Sequence, residues 1–337
     1  MDLLPNDDQT AIVDAVKEFL AGEAPVDRLR AHGEIGNPDS ALWPRLGELG
    51  FLGLGIAEDQ GGAGLTAAEE VLTFREYGRH LLSPAILALA LAARIAAASG
   101  LLATPELLAG TMRVGLANRR GPADLRAGTG TFHLIEAQGA ELIVAWDENG
   151  AALFRREDFT IEPVRSTDAL VSLERGTLSG AQPLAYLAAK HDSIHDRARL
   201  MIAAMAVGTA EGARDMAVDY AKVREQFGKP IGTFQAVKHR CAEMAIRTEA
   251  AWSLTAFASL TYALGREDAA FMATSAKIVA TDAALKNGAS NIQVHGAIGF
   301  TSEADAHHYL KRAHLLDQLG GDLRQQRERL LDMPSAL

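Results

Sequence analysis

The chain has 337 residues, 48% of them hydrophobic, enough to bury a large core and to divide into two or three structural units. Its formal charge of -10 and pI near 5.5 repel polyanions unless a basic stripe intervenes; none occurs in the sequence, so nucleic acid is excluded as a partner. Cys241 is the only cysteine, which rules out an internal disulfide framework and a thiolate metal cluster and fits a reducing compartment, with the cytoplasm as the expected location.

The opening segment MDLLPNDDQT is acidic where a signal or transit peptide is basic. From about Asp7 to Leu108, helix-period segments alternate with glycine turns, and this zone is expected to be all-helical. In TAAEEVLTFREYGRH, Thr66 and Glu69 stand at capping-box spacing, so hydroxyl and carboxylate can satisfy each other's orphan backbone donors. PAILALALAARIAAASG, starting at Pro84, is the longest apolar stretch. Its length and the intrusion of Arg94 make it a buried helix, with no membrane span. From about Met112 to Leu184, short apolar runs, β-branched residues and turn signals such as Glu148-Asn149-Gly150 predict strands. From about Ser193 onward helical patterns return, and Phe234, Val237, Cys241, Met244, Thr248, Trp252 and Thr255 draw one stripe at spacings of three and four. Helices of that length bury such stripes against one another in a bundle. The predicted order is helices over 1–110, a small β unit over 111–190, and a helical bundle over 191–337.

The segment REQFGKPIGTFQAVKHR, beginning at Arg224, is predicted to close the first long helix of that bundle. Arg224 to Phe227 form its end, Gly228 suits the left-handed C′ position and Pro230 prevents continuation. Taken alone this reads as a helix stop with a solvated arginine and a packed phenylalanine. A second segment, NIQVHGAIGFTSEADAHHYLKRAHLLDQLGGD, places Gln293, Gly296, Ala297 and Gly299 in a small-residue turn after the third long helix. Together the two resemble the acyl-CoA dehydrogenase family. There an Arg-x-x-Phe-Gly element and a later Gln-x-x-Gly-Gly-x-Gly turn on one subunit hold the adenine and pyrophosphate half of FAD bound mainly to a neighbouring subunit. LWPRLGELGFLGLGIAEDQGGAGLTAAE is similar to the family's N-terminal helical signature, so the resemblance covers nearly the whole chain.

The resemblance implies a mostly α fold with a small β domain: an N-terminal helical domain, a reduced middle β domain and a C-terminal four-helix bundle. It also implies FAD as cofactor, with Arg224, Gln226, Phe227, Gln293, Gly296 and Ala297 as its contacts. The chemistry suits those residues, because guanidinium pairs bidentately with diphosphate and a turn without side chains lets backbone approach phosphate. Ala297 stands where the family has glycine and adds a methyl group there.

In the family a carboxylate removes the α-proton of an acyl-CoA thioester while the β-hydrogen leaves as hydride to the flavin; an α-C–H is too weak an acid to ionise unaided. One family position for that base lies in a Glu-Gly-Thr segment, which aligns Gly320 with the glutamate, Gly321 with the glycine and Asp322 with the threonine. The other precedes an arginine near the start of the helix leading to Arg224; here Arg199 matches the arginine and Ala198 occupies the base position. Both family bases are missing. Glu211 is roughly 20 Å further along that helix and Asp196 should point elsewhere on it, leaving Asp317 and the better-placed Asp322 as weak substitutes. Arg199 is expected either near the substrate and flavin or in a helix-face salt bridge. The Thr-Glu-Pro, Gly-Ser-Asp and aromatic-Ile-Thr-Asn elements that grip the flavin ring in the family are also absent from VGLANRRGPADLRAGTGTFHLIEAQGAELIVAW.

These absences resemble the shorter subunit of heterotetrameric family members acting on steroid side-chain CoA esters. The implied reading is a base-lacking partner subunit, with acyl-CoA as substrate, a homologous dehydrogenase subunit as partner, and an acceptor such as electron-transfer flavoprotein. Two alternatives stay open: a self-sufficient homodimer or homotetramer using Asp322, and a helical scaffold without flavin. The adjacent pair His307-His308 is expected to be solvated, since neighbouring helical residues diverge by about 100° and no acid lies at ligand spacing.

Overall fold

The structure, a computed structural model, describes residues 4–32, 39–168, 170–190 and 192–334. The first zone is helical as its periodicity predicts: α1 (Asp7–Glu23), α2 (Arg28–His32), α3 (Trp43–Glu48), α4 (Ala67–Arg79), α5 (Ala85–Ala98) and α6 (Thr104–Leu108). Glu69 accepts from the amide and the hydroxyl of Thr66 at 2.8 and 2.6 Å, and that hydroxyl accepts from the amide of Ala68 at 3.2 Å, so the predicted box anchors the start of α4. The apolar stretch after Pro84 is α5, whose leucines, isoleucines and alanines are buried almost throughout. Among the described residues no helix is long and apolar enough to cross a membrane.

The middle zone is a seven-stranded sheet. Its strands are β1 (Val114–Asp124), β2 (Thr129–Ile135), β3 (Leu142–Trp146), β4 (Gly150–Arg155), β5 (Thr160–Pro163), β6 (Leu173–Ser179) and β7 (Ala185–Ala188), in the spatial order β5-β6-β2-β1-β3-β4-β7. Among the described residues only β1 and β3 pair in parallel. β3, LIVAW, is buried at every position, which is why it reads as a continuous apolar run rather than an alternation. The Glu148-Asn149-Gly150 signal is the β3–β4 hairpin, where Asp147 Oδ1 accepts from the amides of Asn149 and Gly150 at 2.8 and 3.2 Å. Phe132, Phe154 and Phe159 meet edge to face beneath the sheet, with centroids 5.9 to 6.0 Å apart.

The third zone contains α7 (Ile194–Val223), α8 (Gln235–Ala263), α9 (Ala269–His295), α10 (Ala306–Gln318) and α11 (Leu323–Leu331). The buried face of α9 is alanine, threonine, asparagine and glycine, small enough for helix backbones to approach closely. The Asn287 amide uses that closeness, donating to the carbonyls of Ala210 on α7 and Met244 on α8 at 3.2 and 3.0 Å. On the predicted α8 stripe, Met244, Thr248 and Thr255 are buried, whereas Phe234, Val237 and Cys241 are only half-buried. The stripe therefore emerges at its N-terminal end, next to the segment discussed below.

The chain falls into two compact units, Met1–Gly33 with Val71–Leu82 and Arg199–Leu337, and Glu34–Glu70 with Ser83–Ala198. Inside the first, α4 crosses α7 backbone to backbone: a side chain on Gly78 would collide with the Met205 carbonyl, and one on Gly208 with that of Arg75.

Candidate functional site

The Arg224 segment departs from its predicted conformation in an informative way. The amide of Arg224 still bonds to the Tyr220 carbonyl at 2.8 Å, but α7 ends at Val223. Glu225–Gln226 (β8) and Lys229–Pro230 (β9) then pair antiparallel, leaving Phe227 and Gly228 as the two central residues of a hairpin turn. Their φ angles are 54° and 76°. Gly228 is therefore not a helix C′ residue; positive φ at both central positions is the requirement of a tight type I′ hairpin, whose twist matches the strands. Glycine adopts that angle freely, but in a bulky side chain it costs about 1–2 kcal/mol. Nor is Phe227 packed: it is 91% exposed, with its ring edge to face with Phe234 at 6.1 Å between centroids. Arg224 and Gln226 are exposed as well, and among the described residues neither side chain has an ion pair or hydrogen bond.

The turn after α9 lies at the same end of this unit. The ring of His295 stacks on Tyr220, with centroids 4.1 Å apart and planes inclined by 22°, and Tyr220 is one helical turn before Arg224. His295 Nδ1–H donates to the Asn291 carbonyl at 2.9 Å, and burial lowers the imidazole's pKa, so the ring is a neutral spacer between the two segments. Gln293 is exposed on the last turn of α9. Gly296 has φ 68° and ψ -145°, a combination essentially confined to glycine, and nothing lies within 4 Å of where its Cβ would be. Gly299 is buried beneath, where a Cβ would be 2.7 Å from the Ile292 carbonyl, and Ala297 is exposed beside it. Val223, Ile298 and Phe300 add exposed apolar surface around these groups. The Tyr220–His295 stack that unites the two segments escaped the sequence reading, because the residues lie 75 positions apart and neither carries a motif.

The acids weighed as proton acceptors all have structural roles. Glu211 pairs with Arg75, whose Nε is 2.9 Å from Oε2. Asp196 accepts from the Ser193 hydroxyl at 2.5 Å at the start of α7, and Ala198 is buried two residues on. Asp317 accepts from the amide of Leu323 at 2.9 Å. Asp322 is the N-cap of α11: it accepts from the Gln325 amide at 2.8 Å, and Gln325 Oε1 accepts from the Asp322 amide at 3.0 Å. Arg199 is buried and donates through Nε to Gln326 Oε1 at 3.0 Å, which ties the start of α7 to α11.

The Gly320–Gly321 turn, with φ 65° and 105°, is locked from below. Gln326 Nε2 donates to the carbonyls of Gly320 and Gly321 at 2.7 and 3.2 Å, and Lys277 Nζ contacts those of Leu319 and Gly321. Lys277, a charge intruding on the alanine face of α9, was the sequence signal for this anchor, since carbonyls left over at the end of α10 need donors. Burial, reinforced by the Arg199 guanidinium and opposed by Asp317 and Asp322, lowers its pKa from 10.5 to about 7. The unfolded chain keeps this proton up to about pH 10.5, so folding releases it within that window and stability must rise with pH above 7. Relative to Lys277→Met, the wild-type chain should gain about 2 kcal/mol between about pH 7 and 8.5, read by urea unfolding; parallel profiles would show that the amine stays charged.

The His307 and His308 rings do not diverge but lie against each other, 4.1 Å between centroids, and both are half-buried rather than solvated. Among the described residues no group of three or more His, Cys, Asp and Glu side chains is arranged to hold a metal ion.

An exposed guanidinium without a partner among the described residues, two amides, an outward aromatic ring and a glycine turn open above its Cβ position make a donor set that fits the diphosphate and adenine end of a dinucleotide. Comparison with known proteins agrees with that chemistry. Residues 6–107 match the N-terminal domain model of acyl-CoA dehydrogenases and residues 193–332 the C-terminal one. Acyl-CoA dehydrogenase IpdE2 of Mycobacterium tuberculosis is 33% identical over 83% of this chain and 82% of its own length. Acyl-CoA dehydrogenase FadE34 of the same organism is 36% identical over 83% of this chain, which spans only 40% of that protein. Among solved structures, the steroid enzyme Tcur3481-Tcur3483 superposes with a TM-score of 0.85 at 25% identity, covering 97% of each chain. The ChsE4-ChsE5 complex of Mycobacterium tuberculosis gives 0.85 at 22% identity over 99% of this chain and 100% of that one, a likeness of fold. The helix–sheet–helix order, the two matched family domains and the similarity to IpdE2 over 83% of this chain converge: this chain belongs to the acyl-CoA dehydrogenase family, FAD-dependent oxidoreductases acting on CH–CH bonds.

Proposed function

We propose that this chain is the base-lacking subunit of a heteromeric acyl-CoA dehydrogenase, contributing the dinucleotide-gripping surface to an FAD held mainly by its partner. The observation that carries this reading is Phe227: a phenylalanine held at positive φ and 91% exposed is strained and solvated at once, which is intelligible if a ring is to cover it. Arg224 would hold the diphosphate, Gln226 and Gln293 its flanking oxygens, and the Gly296 turn would admit phosphate to backbone amides. FAD, when bound, supplies the hydride acceptor for the β-carbon of the thioester. Removal of the α-proton would fall to a carboxylate of the partner, because Ala198 and Gly320 carry none and Asp322 is engaged as a helix cap.

The substrate class we infer is a steroid-derived acyl-CoA, supported by the solved steroid relative, and the heteromer is supported by a structural neighbour that is itself a two-component complex. Asp322 acting alone as base is disfavoured: its cap would have to open, and Lys277 and Gln326 hold the turn before it closed. The test is expression of the chain alone and together with a base-carrying homologous acyl-CoA dehydrogenase subunit from its own host. Alone it should hold little FAD and turn over no acyl-CoA; with the partner, both should appear together. Full flavin occupancy and turnover by the single chain would overturn the proposal.

A further inference from the structure

A second site is built on the sheet, in the compact unit that does not contain the hairpin. On the polar face of β1, β2, β6 and β5, register aligns Asn118, His133, Arg175 and Glu162 in one row. In the next row Thr131 lies beside Thr177. β1 bulges here: Arg119 pairs with Phe132 and the next partners are Ala123 and Gly130, so Arg120, Gly121 and Pro122 stand against Thr131 alone. Gly121, at φ 93°, permits the bend, and bulges commonly re-aim a side chain. The consequence is an open depression of about 650 Å³ lined by Arg120, Thr131, Arg175, Thr177, Gly121 and Glu162.

Its polar groups are not in balance. Glu162 pairs with Arg175 at 3.1 Å. The Nε–H of Arg175 is shielded from solvent and has no acceptor. Among the described residues, Arg120 has no ion pair and the two threonine hydroxyls make no hydrogen bond. Both guanidinium groups act on His133 through their charge, its pKa being lowered by burial first and then by Arg120 and Arg175. Such a donor cluster is conspicuous on a chain of net charge -10.

We propose that this face binds a small phosphate-bearing molecule, its phosphate held by Arg120 and Arg175 with the Thr131 and Thr177 hydroxyls. A dianion is required because Glu162 already occupies part of Arg175, so a single carboxylate would only exchange one acceptor for another. The repulsive charge of the whole chain excludes a polyanion, and the depression has room for a nucleotide-sized molecule. The inference is independent of the flavin reading, since it uses none of the residues assigned to FAD.

The probe is inorganic pyrophosphate titrated calorimetrically into the full chain at low salt. We expect saturable binding that weakens at least tenfold in each of Arg120→Gln and Arg175→Gln, and is only partly retained in Arg175→Lys, which keeps the charge but not the fork. Binding should also raise the pKa of His133, read from its Cε1 proton resonance against pH, because the anion offsets both neighbouring cations. ADP binding tighter than pyrophosphate assigns a nucleotide phosphate; equal or weaker binding assigns a free phosphate. No saturable binding, binding unaffected by the arginine substitutions, or binding that leaves the His133 titration in place overturns the proposal.

Discussion

Arg224→Ala should lower FAD affinity of the assembled dehydrogenase by about two to three orders of magnitude while leaving the chain folded. Truncating one partner of a desolvated, hydrogen-bonded charge pair costs about 2–5 kcal/mol, and each 1.4 kcal/mol is tenfold. Since the Arg224 side chain is exposed and without a partner among the described residues, its removal takes nothing from the fold. Arg224→Lys should recover only part of the affinity, because an ammonium cannot present two parallel donors to a diphosphate. Phe227→Gly supplies the complementary half of the test. Glycine relieves a positive φ that costs phenylalanine about 1–2 kcal/mol, so the melting temperature should hold or rise while FAD retention falls. Opposite signs in one variant separate a ligand-facing residue from a structural one. The measurement is the flavin-to-protein absorbance ratio after dialysis, with thermal unfolding of the same samples. Undiminished flavin in Arg224→Ala would remove the hairpin from the cofactor site.

The hairpin also marks where sequence reasoning stops. Helix-period patterns and glycine turns located the bundle and sheet correctly because burial of an apolar stripe is a local, repetitive demand, met at α5, β3 and α9 alike. What failed at Gly228 was a choice between two structures that want the same residue: a C′ glycine and an I′ glycine both need positive φ, and only the pairing of Gln226 with Lys229 decides. Tyr220 on His295, and Lys277 under the Leu319–Gly321 turn, are contacts between distant segments, so no local pattern records them. Lys277 at least left a trace, a lone cation in an alanine face. Glu70 left none: in TAAEEVLTFREYGRH the spacing from Thr66 marks its neighbour Glu69 as the capping acid, but nothing local says that Glu70 is buried against an arginine 127 positions later.

Glu70→Leu should accordingly be among the most destabilising single changes in the chain, by about 3–5 kcal/mol. Glu70 and Arg197 are both buried and in direct contact, and Arg94 beside them is tied to Asp192 and to the Gly55 carbonyl. A side chain on Gly55 would strike both Glu70 and the Arg197 guanidinium, so backbone closes the pair off from water. Removing the carboxylate alone takes a buried counter-charge from that guanidinium, and part of its desolvation penalty is then no longer offset. At about 2–4 °C per kcal/mol the melting temperature should fall by about 10 °C. The double variant Glu70→Leu/Arg197→Met removes charge and countercharge together and should recover most of the loss, since a buried pair replaced by packed apolar groups is commonly neutral. If single and double variants melt together, the pair contributes nothing and the effect belongs to packing at the start of α7. If the double recovers, the interaction serves placement: Arg197 fixes the first turn of α7, and the same turn is held by Ser193 and Asp196.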